Sequence, residues 1–291
     1  MRARSSFPTL GSILCGFLVL AFCLPTGAQQ RPLTTPDAQI LPPGSSEIQI
    51  GFDFLQDVDF PASGLSGDLT NVAVLRTRTA VGRIVELQME AAMQQFLSVK
   101  QQVVGPIPVT LTGPNSTRDI ADFTFFTKVR LFGEGKHRPA LAFRFGYQMP
   151  NSNQARGIGL NTTNIFSEII LQKHLRKLNL YGSAGLAILQ APTATFTQND
   201  VLTYGLAFSY PVHRRVTLLG EVAGRHSTRD ITPALIGTES RSHARLGLQI
   251  DAGGFVWDVA GIKGLTSIDA KGGFTFGVSK RVRLFHYDKI Q

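Results

Sequence analysis

From Ser46 onward, apolar residues recur at every second position over segments of about ten residues, and the positions between them are polar or small. A period of two belongs to a β-strand with chemically different faces, because successive side chains point to opposite sides of a sheet. Ile48, Ile50, Phe52 and Phe54 alternate with Glu47, Gln49, Gly51 and Asp53. Val85, Leu87, Met89, Ala91 and Met93 alternate with Glu86, Gln88, Glu90, Ala92 and Gln94. Phe123, Phe125, Val129 and Leu131 oppose Asp122, Thr124, Lys128 and Arg130, and Leu141, Phe143, Phe145 and Tyr147 oppose Ala142, Arg144, Gly146 and Gln148. Leu202, Tyr204, Leu206, Phe208 and Tyr210 face away from Thr203, Gly205, Ala207 and Ser209. The pattern recurs at 71–80, 163–174, 177–189, 215–225, 242–252, 255–263 and 272–284, so about twelve strands are predicted, an even number.

Alternation alone does not separate a β-sandwich, whose apolar faces meet in the middle, from a membrane barrel, whose apolar face meets lipid. Two features favour the barrel. The polar set is rich in Gly, Ala, Ser and Thr beside charges, which suits a crowded interior. The connections also alternate in length: short at 80–83, 132–137, 175–177, 211–214 and 252–254, long at 55–69, 99–117, 148–162, 190–200, 226–240 and 264–271. Short turns on one rim, long loops on the other and both chain ends on the short side are the layout of an outer-membrane barrel. The expected fold is therefore an all-β, antiparallel transmembrane β-barrel of about twelve strands over 46–291. With one Trp and five Tyr, Phe must fill most of the aromatic positions of its outer band.

Residues 1–28 have the three parts of a secretory signal peptide: Arg2 and Arg4, an apolar stretch over 13–24, then Pro25, Thr26, Gly27 and Ala28. Export to a bacterial outer membrane is the expected localisation. Cys15 and Cys23 both fall in this leader, so a chain beginning near Gln29 has no thiol for a disulfide, a metal or a nucleophile. Residues 29–45 hold Pro32, Pro36, Pro42 and Pro43, which excludes a central strand and predicts a tether on the periplasmic side or an internal plug.

The 29 Lys and Arg exceed the 20 Asp and Glu by nine, yet they are scattered rather than clustered, so no nucleic-acid partner is expected. Many fall on the polar parity. Arg76, Arg78, Glu86, Glu90, Lys128, Arg130, Arg144, Glu168, Glu221, Arg225, Arg245 and Asp251 are the candidate interior residues. They suit either a selectivity ladder or a network bracing a closed interior, and the similar numbers of both signs favour bracing. A conducting pore would have mild anion preference from the basic excess. No G-x-S-x-G, H-E-x-x-H, P-loop or G-x-G-x-x-G motif is present, so no enzyme activity, catalytic residue, metal or cofactor is expected. His226, Ser227 and Asp230 open a long loop, but residues this close in sequence rarely form a triad and serve as loop punctuation. His174 and His243 lie on the polar parity without a neighbouring ligand pair.

The stretch 75–87, with Leu75-Arg76-Thr77-Arg78, the turn around Val81-Gly82-Arg83 and the closing Glu86-Leu87, resembles the short turn and following strand of the outer-membrane family named for the meta-pathway of phenol degradation. Residues 122–132, Arg138-Pro139-Ala140-Leu141-Ala142-Phe143 and Gln148-Met149-Pro150 are similar to that family's Lys-bearing strand, its Pro-Ala turn and its strand closing on Pro. The resemblance spans about 46–285 and rests on structural motifs. It departs at Pro150-Asn151-Ser152, where the family has Pro-Thr-Gly, and in an extended last strand. It implies a transporter-like envelope barrel admitting hydrophobic or aromatic compounds, and it supplies no catalytic residues. The expected function is a passive channel or uptake protein for small molecules, in contact with outer-membrane lipid. A soluble secreted β-sandwich binding protein and an outer-membrane barrel hydrolase are the alternatives the residues leave open.

Overall fold

The computed structural model describes residues 31–193, 197–228 and 235–285; the leader expected over 1–28 and both cysteines lie outside them. The strands are β1 (Ser45–Phe60), β2 (Leu65–Ala80), β3 (Val85–Gln102), β4 (Ser116–Asp119), β5 (Phe123–Phe132), β6 (Ala140–Met149), β7 (Asn164–Leu175), β8 (Leu178–Gln190), β9 (Gln198–His213), β10 (Val216–Ser227), β11 (Arg241–Ala252), β12 (Phe255–Gly264) and β13 (Gly272–Arg283). Each pairs antiparallel with its chain neighbours, except that β3 skips β4 to reach β5, and β1 pairs with β13 from Ser45↔Arg283 to Gln56↔Gly272. Twelve strands thus close into a barrel with no free edge, and β4 is a short side strand on the upper part of β3.

The distribution of residues is the reverse of a soluble core. Ile50 is 47 % exposed and Leu206 71 %, whereas Glu86 and Lys128 are 0 % exposed. Phe143, Phe145, Ile169, Leu186, Leu246, Trp257 and Phe274 also stand on the outside. Outward aromatic side chains meet across strands, as in Trp257 with Phe276 (6.0 Å) and Phe125 with Tyr147 (6.0 Å). Phe126 and Phe166 break the pattern by pointing inward, their rings 5.9 Å apart, in the space left by Gly146; Arg144 lies 3.4 Å over the Phe126 ring.

Two connections differ from the expected layout. The region 55–69 is strand almost throughout: β1 runs to Phe60, β2 starts at Leu65, and residues 61–64 make the turn. β2 accordingly begins six residues before the expected 71–80. β3 continues to Gln102, and 99–117 contains the start of β4. With 16, 16 and 18 residues, β1 to β3 exceed the roughly 9–11 residues of a bilayer-crossing strand by about 20 Å of extended chain. Their upper ends fold over an apolar cluster of Val58, Leu65, Leu69, Leu97, Ile158 and Ala270, with Val109 and Leu111 packed against it. The opposite rim is made of tight turns; Gly253 (φ 65°) and Gly254 (φ 75°) occupy both central positions of the β11–β12 turn, which only residues free of a Cβ adopt easily.

Candidate functional site in the barrel interior

Inward positions of all these strands converge on the segment 31–44, which lies inside the barrel and is bonded to its walls. Entering at the short-turn rim from β1, the segment first meets a layer of charges. Arg78 Nη1 is 2.9 Å from Asp37 Oδ2 and its Nε 2.9 Å from Glu86 Oε1. Lys128 Nζ lies 3.0 Å from Glu86 and 3.1 Å from Asp37, and donates to the Gln39 carbonyl at 2.6 Å. The Leu41 N–H donates to Glu86 at 3.0 Å, and Arg281 pairs with Glu47 at 3.0 Å. Burying such charges is costly unless they are paired and hydrogen-bonded, and here each is.

Further in, the chain crosses to the opposite wall. Glu221 accepts from the Thr34 N–H at 2.8 Å and the Thr35 N–H at 2.9 Å, with Arg245 Nε at 3.6 Å and His243 Nε2 at 3.5 Å. Arg76 donates to the Leu33 carbonyl (2.7 Å) and Arg245 to the Pro32 carbonyl (2.8 Å). Arg31, the first described residue, sets its guanidinium against Asp258 (3.4 Å), Thr275 Oγ1 (2.8 Å) and the Phe276 carbonyl (3.2 Å), and the Gln249 side chain donates to the Arg31 carbonyl. The segment contains no regular secondary structure, so wall side chains supply the partners that its backbone groups lack.

The other candidates fall into separate places. Arg144 bridges Glu90 (2.6 Å) and Glu168 (3.1 Å) in mid-barrel. Arg225 donates to the Glu239 and Gly237 carbonyls near the loop rim. Arg130 donates to the Arg83 carbonyl at the edge of a short turn, apart from the interior network. Asp251 lines a cavity of about 360 Å³ at the short-turn rim with Tyr181, His213, Arg214 and Arg215. Periodicity could have added Glu47, Asp258 and Arg281 to the candidates, since each stands on the polar parity; Arg31 and Asp37 sit in a segment with no period and gave no such signal.

Two histidines have different roles. His243 contacts Thr34 Oγ1 and Glu221, whereas His174 is exposed at the short-turn rim and bonds Glu134 through backbone and ring. Around Glu134, burial raises the carboxyl pKa, but the His174 backbone N–H, the His174 ring and Lys173 outweigh it and hold the group down at about 2. For the hydrolase reading, Ser227 Oγ accepts from Asn199 at 2.7 Å, His226 contacts Ser240 at 3.4 Å, and Asp230 lies outside the described residues. Among the described residues no group of three His, Cys, Asp or Glu could hold a metal ion.

The fold and this interior define a class: a closed twelve-strand antiparallel barrel, apolar outside and charged inside, with its own N-terminal segment in the lumen. No family model matches the sequence, and no curated protein does. Among solved structures, the COG4313 outer membrane channel from Pseudomonas putida F1 is similar, with a TM-score of 0.59 and 12 % identity over 84 % of this chain and 98 % of that one. The NanC porin aligns at a TM-score of 0.47 and 7 % identity over 82 % and 100 %, and the TodX monoaromatic hydrocarbon channel at 0.39 and 8 % over 84 % and 91 %. At these identities the likeness establishes the barrel fold alone.

Proposed function

We propose that this protein is a passive outer-membrane channel for small, hydrophobic or aromatic molecules, reached by export on the leader 1–28. The observation that carries the reading is the inverted surface: rows of exposed Ile, Leu, Val, Phe and Trp around a closed barrel that buries Glu47, Arg78, Glu86, Lys128, Arg144 and Glu221 inside. Water would not tolerate that exterior, and lipid would. Open space in the interior favours transport over solid bracing: a cavity of about 340 Å³ in mid-barrel borders Thr34, Thr35 and Pro36 of the segment 31–44, and further cavities of about 230 Å³ and 360 Å³ lie at the loop rim and the short-turn rim. That segment acts as the plug that narrows the path. The similar Pseudomonas putida structure, an outer membrane channel, agrees with this reading, and so does the resemblance to the phenol meta-pathway family.

Conductance in planar bilayers is the test. Purified protein that migrates faster unboiled than boiled on an SDS gel, and so is a closed barrel, is expected to give discrete current steps in KCl. A folded, inserted barrel without conductance and without solute uptake into liposomes overturns the channel reading.

A further inference from the structure

Arg225 of β10 and Arg241 of β11 stand directly opposite each other in the ladder, on the inner face. Like charges in that relation repel. Other interior cations are paired: Arg31, Arg78, Lys128, Arg144 and Arg281 each have a carboxylate at 3.4 Å or closer, and Arg245 and Arg76 have one at 3.6 and 3.9 Å. Arg225 has no ion pair among the described residues, only the Glu239 and Gly237 carbonyls at 2.9 and 3.1 Å, and Arg241 reaches Asp269 only at 3.9 Å.

The two arginines also stand where two cavities meet. Both line the loop-rim cavity of about 230 Å³, whose walls include Phe60, Ile107, Ile158 and Leu160, and both line the mid-barrel cavity of about 340 Å³ above Thr34, Thr35 and Pro36. The first space exceeds the roughly 150 Å³ that accommodates benzene in an apolar cavity. Glu239 lines it too, but its Oε1 accepts from the Gly237 N–H on its own loop. Two guanidinium groups that have no carboxylate closer than 3.9 Å among the described residues, at the base of an apolar cleft, complement one kind of solute: an anion with an apolar body. A guanidinium binds a carboxylate in a fork of two hydrogen bonds, more strongly than a neutral hydroxyl.

We propose that Arg225 and Arg241 form a headgroup site that selects small carboxylates with an apolar body on their way from the loop rim into mid-barrel. The proposal deepens the channel reading by naming its solute class. Calorimetry on the full-length barrel in nanodiscs, with empty nanodiscs subtracted, tests it using 4-phenylbutyrate and the neutral 4-phenylbutan-1-ol. The acid is expected to bind about tenfold tighter or better at low salt, and Arg225→Gln with Arg241→Gln to abolish that preference while leaving alcohol binding in place. Arg225→Lys, which keeps the charge without the fork, retains part of the preference, and a heat-modifiable gel shift verifies folding of each variant. Equal affinities, no binding of either compound, or a preference that survives the double substitution overturns the proposal. Conductance in KCl is read separately, so loss of the channel reading and loss of the headgroup site appear in different measurements.

Discussion

Gly51 and Gly277 are cross-strand partners, and a Cβ at either position would fall 2.2 or 2.6 Å from the guanidinium of Arg31. Gly205 leaves similar room for Thr35 Oγ1, at 2.6 Å. These glycines are notches in the wall that receive side chains of the N-terminal segment. Gly51→Val is therefore expected to push Arg31 out and leave Asp258 buried without its partner, at a cost on the order of 3 kcal/mol. A lowered temperature for the gel-shift transition checks it; an unchanged transition means that Arg31 finds another place. Arg176 shows the opposite residue-scale effect. It holds a left-handed φ of 60° in a two-residue turn, a conformation that disfavours side chains, so Arg176→Gly should raise the unfolding free energy by up to about 1 kcal/mol in denaturant titrations.

At the scale of elements, the strands that run between lipid and lumen were legible because each residue faces one of two unlike environments, and the alternation of Leu202 to Tyr210 records it. Above the expected bilayer both faces of β1 and β2 meet loops or water, and the alternation stops. Asp57, Gly67 and Asp68 then look like loop, although the ladder continues through two register shifts with Asp57 and Ala73 at positive φ. Phe126 and Phe166 escaped the pattern for a related reason: the interior is a packed space that accepts an aromatic ring where a glycine leaves room. The short-turn rim offers a pH test. The Glu134 pKa is depressed from 4.5 to about 2, so its contacts with His174 and Lys173 contribute stability above pH 4.5 and lose it as pH falls through about 2. Glu134→Gln should thus lower the unfolding midpoint modestly at pH 7, and the gap to the unaltered protein should close towards pH 2. A gap independent of pH would show that the carboxylate charge is irrelevant to the turn.

For the whole molecule, the decisive relation is between the barrel and the segment threaded through it. The wall charges are arranged for that segment as much as for each other: Asp37 supplies negative charge to Arg78 and Lys128, and Glu221 takes two backbone N–H groups from Thr34 and Thr35. A barrel without residues 31–41 keeps its closed ladder, because β1 pairs with β13 and β2 from Ser45 and Ser46 onward. It loses Asp37 beside Lys128 and the donors that Glu221 accepts, leaving buried charges that water must enter to solvate. Deletion is therefore expected to have two linked effects. The unfolding transition moves down by several degrees, and single-channel conductance rises severalfold as water and ions take the vacated path. If conductance is unchanged while the gel shift persists, the current passes beside the segment, through the cavities lined by Arg225 and Asp251, and the N-terminal chain is a brace fixed in the wall instead of a constriction.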